Sequence, residues 1–61
     1  MRDPERINDF CEKLSEYWHM YPDFRFGQII ENIKSSNGIS DIFYVEDNKM
    51  MEMIERYFVR H

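Results

Sequence analysis

Apolar side chains return every three or four residues along the first third of the chain: Ile7, Phe10, Leu14, Tyr17, Trp18 and Tyr21. At about 100° per residue these positions share one stripe, with Cys11 at its edge, so the spacing predicts an amphipathic helix. Asp3-Pro4 is a start signal, because Asp is a favoured cap and Pro is tolerated in the first helical position. Pro22 is a stop signal, since the residue before a proline is pushed out of the helical region. The predicted helix covers about residues 4 to 20.

A second periodic run follows, with Phe26, Ile29, Ile30 and Ile33 on one side. Asp23 is its expected cap, giving a helix from Phe24 to Ser35 or Ser36, and Asn37-Gly38 tolerates the left-handed conformation at its end. Gly27 in the first turn costs roughly 1 kcal/mol against Ala, which hints at a close backbone approach or at a neutral surface position. A third helix runs from a Glu46 or Asp47 cap to about Phe58, with Met50, Met51, Ile54, Tyr57 and Phe58 apolar and Met53 at the margin. That arc is broad: either this is the most buried helix or it shares a face with another molecule. Arg56 and Arg60 favour its C-terminus electrostatically.

The segment Ile39–Val45 has strand-like composition but no mate in the chain, and a lone strand is unstable. A single helical turn capped by Asp41, dropping Phe43 or Tyr44 into the core, fits better. The expected architecture is all-α: one compact three-helix domain over residues 1–61, with a short helical turn before the last helix. Its expected core is Ile7, Phe10, Leu14, Trp18, Phe26, Ile29, Ile33, Phe43, Ile54 and Phe58. Full burial of Trp18 implies that its truncation costs about 3–5 kcal/mol.

Length and charge narrow the class. Sixty-one residues lie near the lower limit for an unstapled fold, and the single cysteine, Cys11, allows no internal disulfide. A lone thiol fits a reducing, cytoplasmic setting. No apolar run approaches the ~20 residues of a membrane span, and the N-terminus has no apolar signal core. Twelve acids against eight bases give net −4 with scattered cations, which argues against direct nucleic-acid binding. A chain this small gains burial from self-association, so a homodimer is a secondary expectation.

Candidate chemistry is sparse. Glu5, Asp9, Glu12 and Glu16 recur at spacings of four, three and four, forming a second stripe opposite the apolar one. Consecutive members rise ~4.5–6 Å, near the spacing of phosphates on a nucleic-acid strand. The stripe is either an acidic ridge for a basic partner or a solvated face, with Asp9 and Lys13 adding a few tenths of a kcal/mol. Arg25, Gln28 and Asn32 form a polar stripe on the second helix; Arg25 serves either as a salt bridge to Glu46 or Asp47 or as a partner contact. Met50, Met51 and Met53 are adaptable side chains suited to a binding surface or to gap filling. No phosphate loop, zinc ligand set or paired nucleophile is present in the sequence, so no catalytic residue, cofactor or metal site is expected.

The order Arg2-Asp3-Pro4-Glu5-Arg6-Ile7, Trp18, Pro22-Asp23-Phe24-Arg25-Phe26-Gly27-Gln28, Asn32, Asp41, Phe43-Tyr44 and Glu46-Asp47 resembles a family of short uncharacterised proteins of bacteria and their phages. Their pattern runs RDPxRI, PDxRxGQ, N, FYxED. In that pattern a proline often follows the residue equivalent to Asp41; here Ile42 stands there, leaving the turn less firmly fixed. The resemblance implies an all-helical intracellular domain and carries no activity. Two functions follow from the sequence. The first is a non-catalytic protein–protein interaction module using Arg25, Gln28, Asn32, Tyr44, Met51 and Met53, with an accessory place in a bacterial or phage complex as one setting that would suit it. The alternative is an acidic inhibitor that imitates nucleic acid through Glu5, Asp9, Glu12 and Glu16.

Overall fold

A computed structural model describes residues 2–59. It contains α1 (Glu5–Met20), α2 (Phe26–Ser36) and α3 (Asp47–Val59), and no strand among the described residues. Arg60, assigned above to the end of the last helix, lies outside the described residues. The all-α, three-helix architecture is as expected.

Local chemistry sets the helix ends. Asp3 Oδ1 accepts from the Glu5 N–H (3.0 Å), and α1 closes with a bond from the Tyr21 N–H to the Trp18 carbonyl at 3.0 Å. α2 begins two residues later than expected, and Asp23 is not its cap. Trp18 Nε1 donates to the Phe24 carbonyl at 2.8 Å, which holds that residue in the connection. Arg25 is extended (φ −83°, ψ 151°), and Gln28 Oε1 reaches back to accept from its N–H at 2.8 Å. This is the Gln half of a capping box; an arginine side chain has no acceptor to supply the other half. At the far end the Ile39 N–H reaches the Lys34 carbonyl (2.9 Å) and the Gly38 N–H the Ser35 carbonyl (3.2 Å), with Gly38 at φ 65°. These paired bonds make a Schellman closure, which requires the left-handed residue glycine adopts readily.

Ion pairs and ring contacts report the direction of packing. Arg2 Nη2 meets Glu46 at 2.7 Å, and Arg6 Nη1 meets Asp47. These contacts tie the start of α1 to the start of α3. At the other end Tyr17 and Tyr21 stack on Phe58, with centroids 6.0 and 5.9 Å apart. α1 and α3 are therefore parallel, and α2 returns between them in sequence. Both α1 and α2 pack on α3 rather than along one another. The expected bridge from Arg25 to Glu46 or Asp47 does not form, since Arg2 and Arg6 occupy those carboxylates.

The core follows from α3 being central. Met50, Met51, Met53, Ile54, Tyr57 and Phe58 are buried on it, with Ile29 and Ile33 from α2. No residue of α1 is fully buried; Phe10, Leu14 and Trp18 pack against the core only in part. Three expected core residues lie instead at the surface: Ile7 and Phe26 are half exposed, and Phe43 is largely exposed. The broad apolar arc of the last helix thus reflects burial, its three methionines included.

Candidate functional site

The connection between α2 and α3 inverts the expected arrangement of its aromatic residues. Asp41 Oδ1 accepts from the Phe43 N–H (2.9 Å), and the Val45 N–H donates to the Ile42 carbonyl (3.1 Å). This is a tight turn rather than a turn of helix. Its outer residues, Ile42 and Val45, pack against the core. Its central residues, Phe43 and Tyr44, stand in solvent at 80% and 85% exposure. Central positions of a four-residue turn point away from the body that its flanks rest on, whatever their hydrophobicity. The rings meet edge to face with centroids 4.9 Å apart, and together present on the order of 300 Å² of aromatic surface. A patch of that size on a small monomer is commonly functional.

Most other polar residues singled out in the sequence have structural partners. Gln28 caps α2. Asn32 Nδ2 donates to Tyr57 Oη at 2.9 Å, joining α2 to α3. Asp3 and Asp41 fix backbone turns, and Arg2, Arg6, Glu46 and Asp47 join α1 to α3. Met51 and Met53, assigned above to a contact surface, are buried at 7% and 1% exposure and cannot meet a partner without unfolding. Arg25 is exposed and forms no ion pair among the described residues. It precedes α2 whereas Tyr44 lies beyond its far end, and an 11-residue helix is about 16 Å long. Of the six proposed contact residues, then, only Arg25 and Tyr44 are exposed without a structural role, and they are not neighbours. Phe43 was missed as a surface residue; an Asp two residues before an aromatic was the available signal for a side-chain-capped turn.

The acidic stripe exists as drawn. Glu5, Asp9, Glu12 and Glu16 are all exposed on α1, and none pairs with a Lys or Arg among the described residues. The cations that pair do so elsewhere: Arg2 with Glu46, Arg6 with Asp47, Lys34 with Glu31, and both Lys49 and Arg56 with Glu52. Desolvation against the core, with help from the Glu55 and Glu16 carboxylates, holds the Tyr17 phenol above its ordinary pKa. Gly27 has open space where a Cβ would sit, so no close backbone approach explains it.

Beside the packed edge of α1 runs an open groove of about 450 Å³, lined by Cys11, Leu14, Ser15, Trp18, His19 and Pro22. Among the described residues no group of three or more His, Cys, Asp or Glu is placed to hold a metal ion, and no helix is long and apolar enough to cross a membrane. Comparison of the chain with protein-family models, curated proteins and solved structures finds no match.

Proposed function

We propose that the protein is a non-catalytic protein–protein interaction module whose contact surface is the Phe43–Tyr44 turn. One observation carries this: two large aromatic side chains are held in solvent by a turn whose flanks are anchored in the core. Aromatic residues of this kind dominate interface energetics because they bury much area with little rotamer entropy. The turn is already ordered, so little of the binding energy is lost to fixing it. The free Cys11 thiol is exposed, which suits a reducing cytoplasm.

The test compares Phe43→Ala/Tyr44→Ala with the wild type as bait in host lysate. A partner held by aromatic burial stays bound at moderate salt and is lost from the double variant. Retention of the same partner by the double variant overturns the assignment.

The unpaired acidic stripe favours a second function, imitation of a nucleic acid toward a basic partner. That partner would dissociate as salt rises and would be lost from Glu5→Gln/Asp9→Asn/Glu12→Gln/Glu16→Gln, while tolerating the aromatic double variant.

A further inference from the structure

The apolar stripe of α1 is wider than α3 covers. Tyr17, Phe10 and Tyr21 turn toward α3, where Tyr17 and Tyr21 stack on Phe58. The other flank, Ile7, Cys11, Leu14 and Trp18, recurs at spacings of four, three and four, the interval of a two-helix seam. Ile7 is half exposed, Cys11 is exposed, and Leu14 and Trp18 are covered only in part. Phe26, half exposed and 5.7 Å from Trp18 by ring centroids, extends the same surface. We propose that a second copy of this chain covers that seam, forming an antiparallel α1–α1 homodimer.

Three observations name a second copy as the occupant. The first is area. The accessible surface is 4857 Å², whereas a folded monomer of 7.6 kDa should expose about 4,300 Å². The radius of gyration, 11.7 Å, likewise exceeds the ~10.5 Å expected of 61 residues. That excess of about 550 Å² per copy is shared between this seam and the Phe43–Tyr44 turn, so the contact falls at the small, weaker end of specific interfaces.

The second observation is charge. The solvent-side neighbours of the seam on α1 are Asn8 and Ser15, both uncharged. The Glu5, Asp9, Glu12 and Glu16 stripe lies on the far side of the helix, so two copies of a net −4 chain can meet here without opposing acids. A charge-depleted centre with charge at a distance is the usual pattern of an interface core.

Shape is the third. The groove beside Trp18 has room for a branched aliphatic side chain, and Ile7 is such a side chain left half exposed. Antiparallel pairing centred between Cys11 and Leu14 sets Ile7 of each copy against Trp18 of the partner subunit, so the contact is made twice by symmetry. It also opposes the α1 dipoles, which a parallel pair would align. This inference does not rest on the role given to Phe43 and Tyr44.

Sedimentation equilibrium over a range reaching about 1 mM tests it. The wild type should approach twice its 7.6 kDa monomer mass. Ile7→Lys/Cys11→Lys, at two exposed positions, should stay monomeric with an unchanged helical circular dichroism spectrum. Phe43→Ala/Tyr44→Ala should dimerise like the wild type. A short bismaleimide should cross-link wild-type Cys11 to Cys11 of the partner subunit, and far less in Ile7→Lys. A wild type that remains monomeric at 1 mM, a folded lysine double variant that still dimerises, or a dimer lost in the aromatic double variant would each overturn the proposal.

Discussion

Replacing phenylalanine by alanine at positions 43 and 58 applies one chemical change to opposite environments. Phe58 is 1% exposed. It stacks on Tyr17 and Tyr21 and meets Tyr57 edge-on at 5.2 Å. Truncation there should cost about 3–5 kcal/mol. A 61-residue domain at ~0.05–0.15 kcal/mol per residue holds only about 3–9 kcal/mol in total. Phe58→Ala should therefore be mostly or wholly unfolded at room temperature. Phe43 keeps 80% of its surface exposed. Burying the remaining fifth of ~200 Å² at ~25 cal/mol per Å² contributes at most about 1 kcal/mol. Much of that fifth faces Tyr44, its sequence neighbour, and can persist in the unfolded chain.

Urea denaturation followed by far-ultraviolet circular dichroism measures both. The expected result is a Phe43→Ala midpoint close to wild type with an unchanged slope, and no folded baseline, or a much lower midpoint, for Phe58→Ala. A cost above ~2 kcal/mol at Phe43 would mean that the turn is packed, removing the basis for a free contact surface. A cost below ~1 kcal/mol at Phe58 would mean that α3 is not the centre of the fold.

The two glycines should respond in opposite directions. Gly27→Ala adds a Cβ into open space inside a helix, so it should stabilise by about 0.5–1 kcal/mol, raising Tm by several degrees. Gly38→Ala forces an L-residue to φ 65° and should destabilise by about 1 kcal/mol. The Tyr17 phenol has its pKa raised in the folded state above its ordinary 10.0, so the unfolded chain releases that proton first. Its contribution is intact below about pH 10 and is lost as pH rises through the folded value. Tyr17→Phe should flatten the alkaline fall of Tm; an unchanged slope would remove Tyr17 as a source.

The helices were legible because their signals are local. Asp3-Pro4, Pro22 and Asn37-Gly38 mark boundaries through local backbone sterics and short-range side-chain bonds such as Asp3 to the Glu5 N–H, and the wide apolar arc of Met50 to Phe58 anticipates the buried centre. The start of α2 was misplaced because its competitor is not local: Trp18 captures the Phe24 carbonyl, and Gln28 replaces Asp23 as the capping side chain. Hydrophobicity predicts Phe43 inside, yet turn geometry outranks side-chain preference when Ile42 and Val45 can take the buried positions. The apolar stripe predicts full burial of Trp18, but α2 packs on α3 and covers the indole only through Phe26; its truncation should cost less than the ~3–5 kcal/mol of a core aromatic. Partners for Glu46 and Asp47 could not be assigned before α1 and α3 were known to be parallel, because only that direction brings Arg2 and Arg6 to them.

That parallel packing makes the Arg6–Asp47 pair asymmetric. Asp47 is the first residue of α3, where a carboxylate favours the helix dipole, while Arg6 lies in the first turn of α1, where a cation opposes it. The side chains are 44% and 46% exposed, so the pair itself is worth about 0.2–1 kcal/mol. Arg6→Glu loses the pair and sets carboxylate beside carboxylate, but regains about 0.3–1 kcal/mol from the α1 dipole. Its net cost should be small. Asp47→Arg loses the pair, sets cation beside cation and opposes the α3 dipole, so it should cost about 1–3 kcal/mol. In the double reversal the pair returns and the dipole terms exchange places, so stability should recover to near wild type. Thermal melts at low salt measure the series, with about 4–8 °C of Tm per kcal/mol for a chain of this length. Equal losses in the two single variants would show that the dipoles contribute nothing here. Differences that survive ~0.5 M salt would trace to packing of the arginine stem, because exposed charge interactions are largely screened under those conditions.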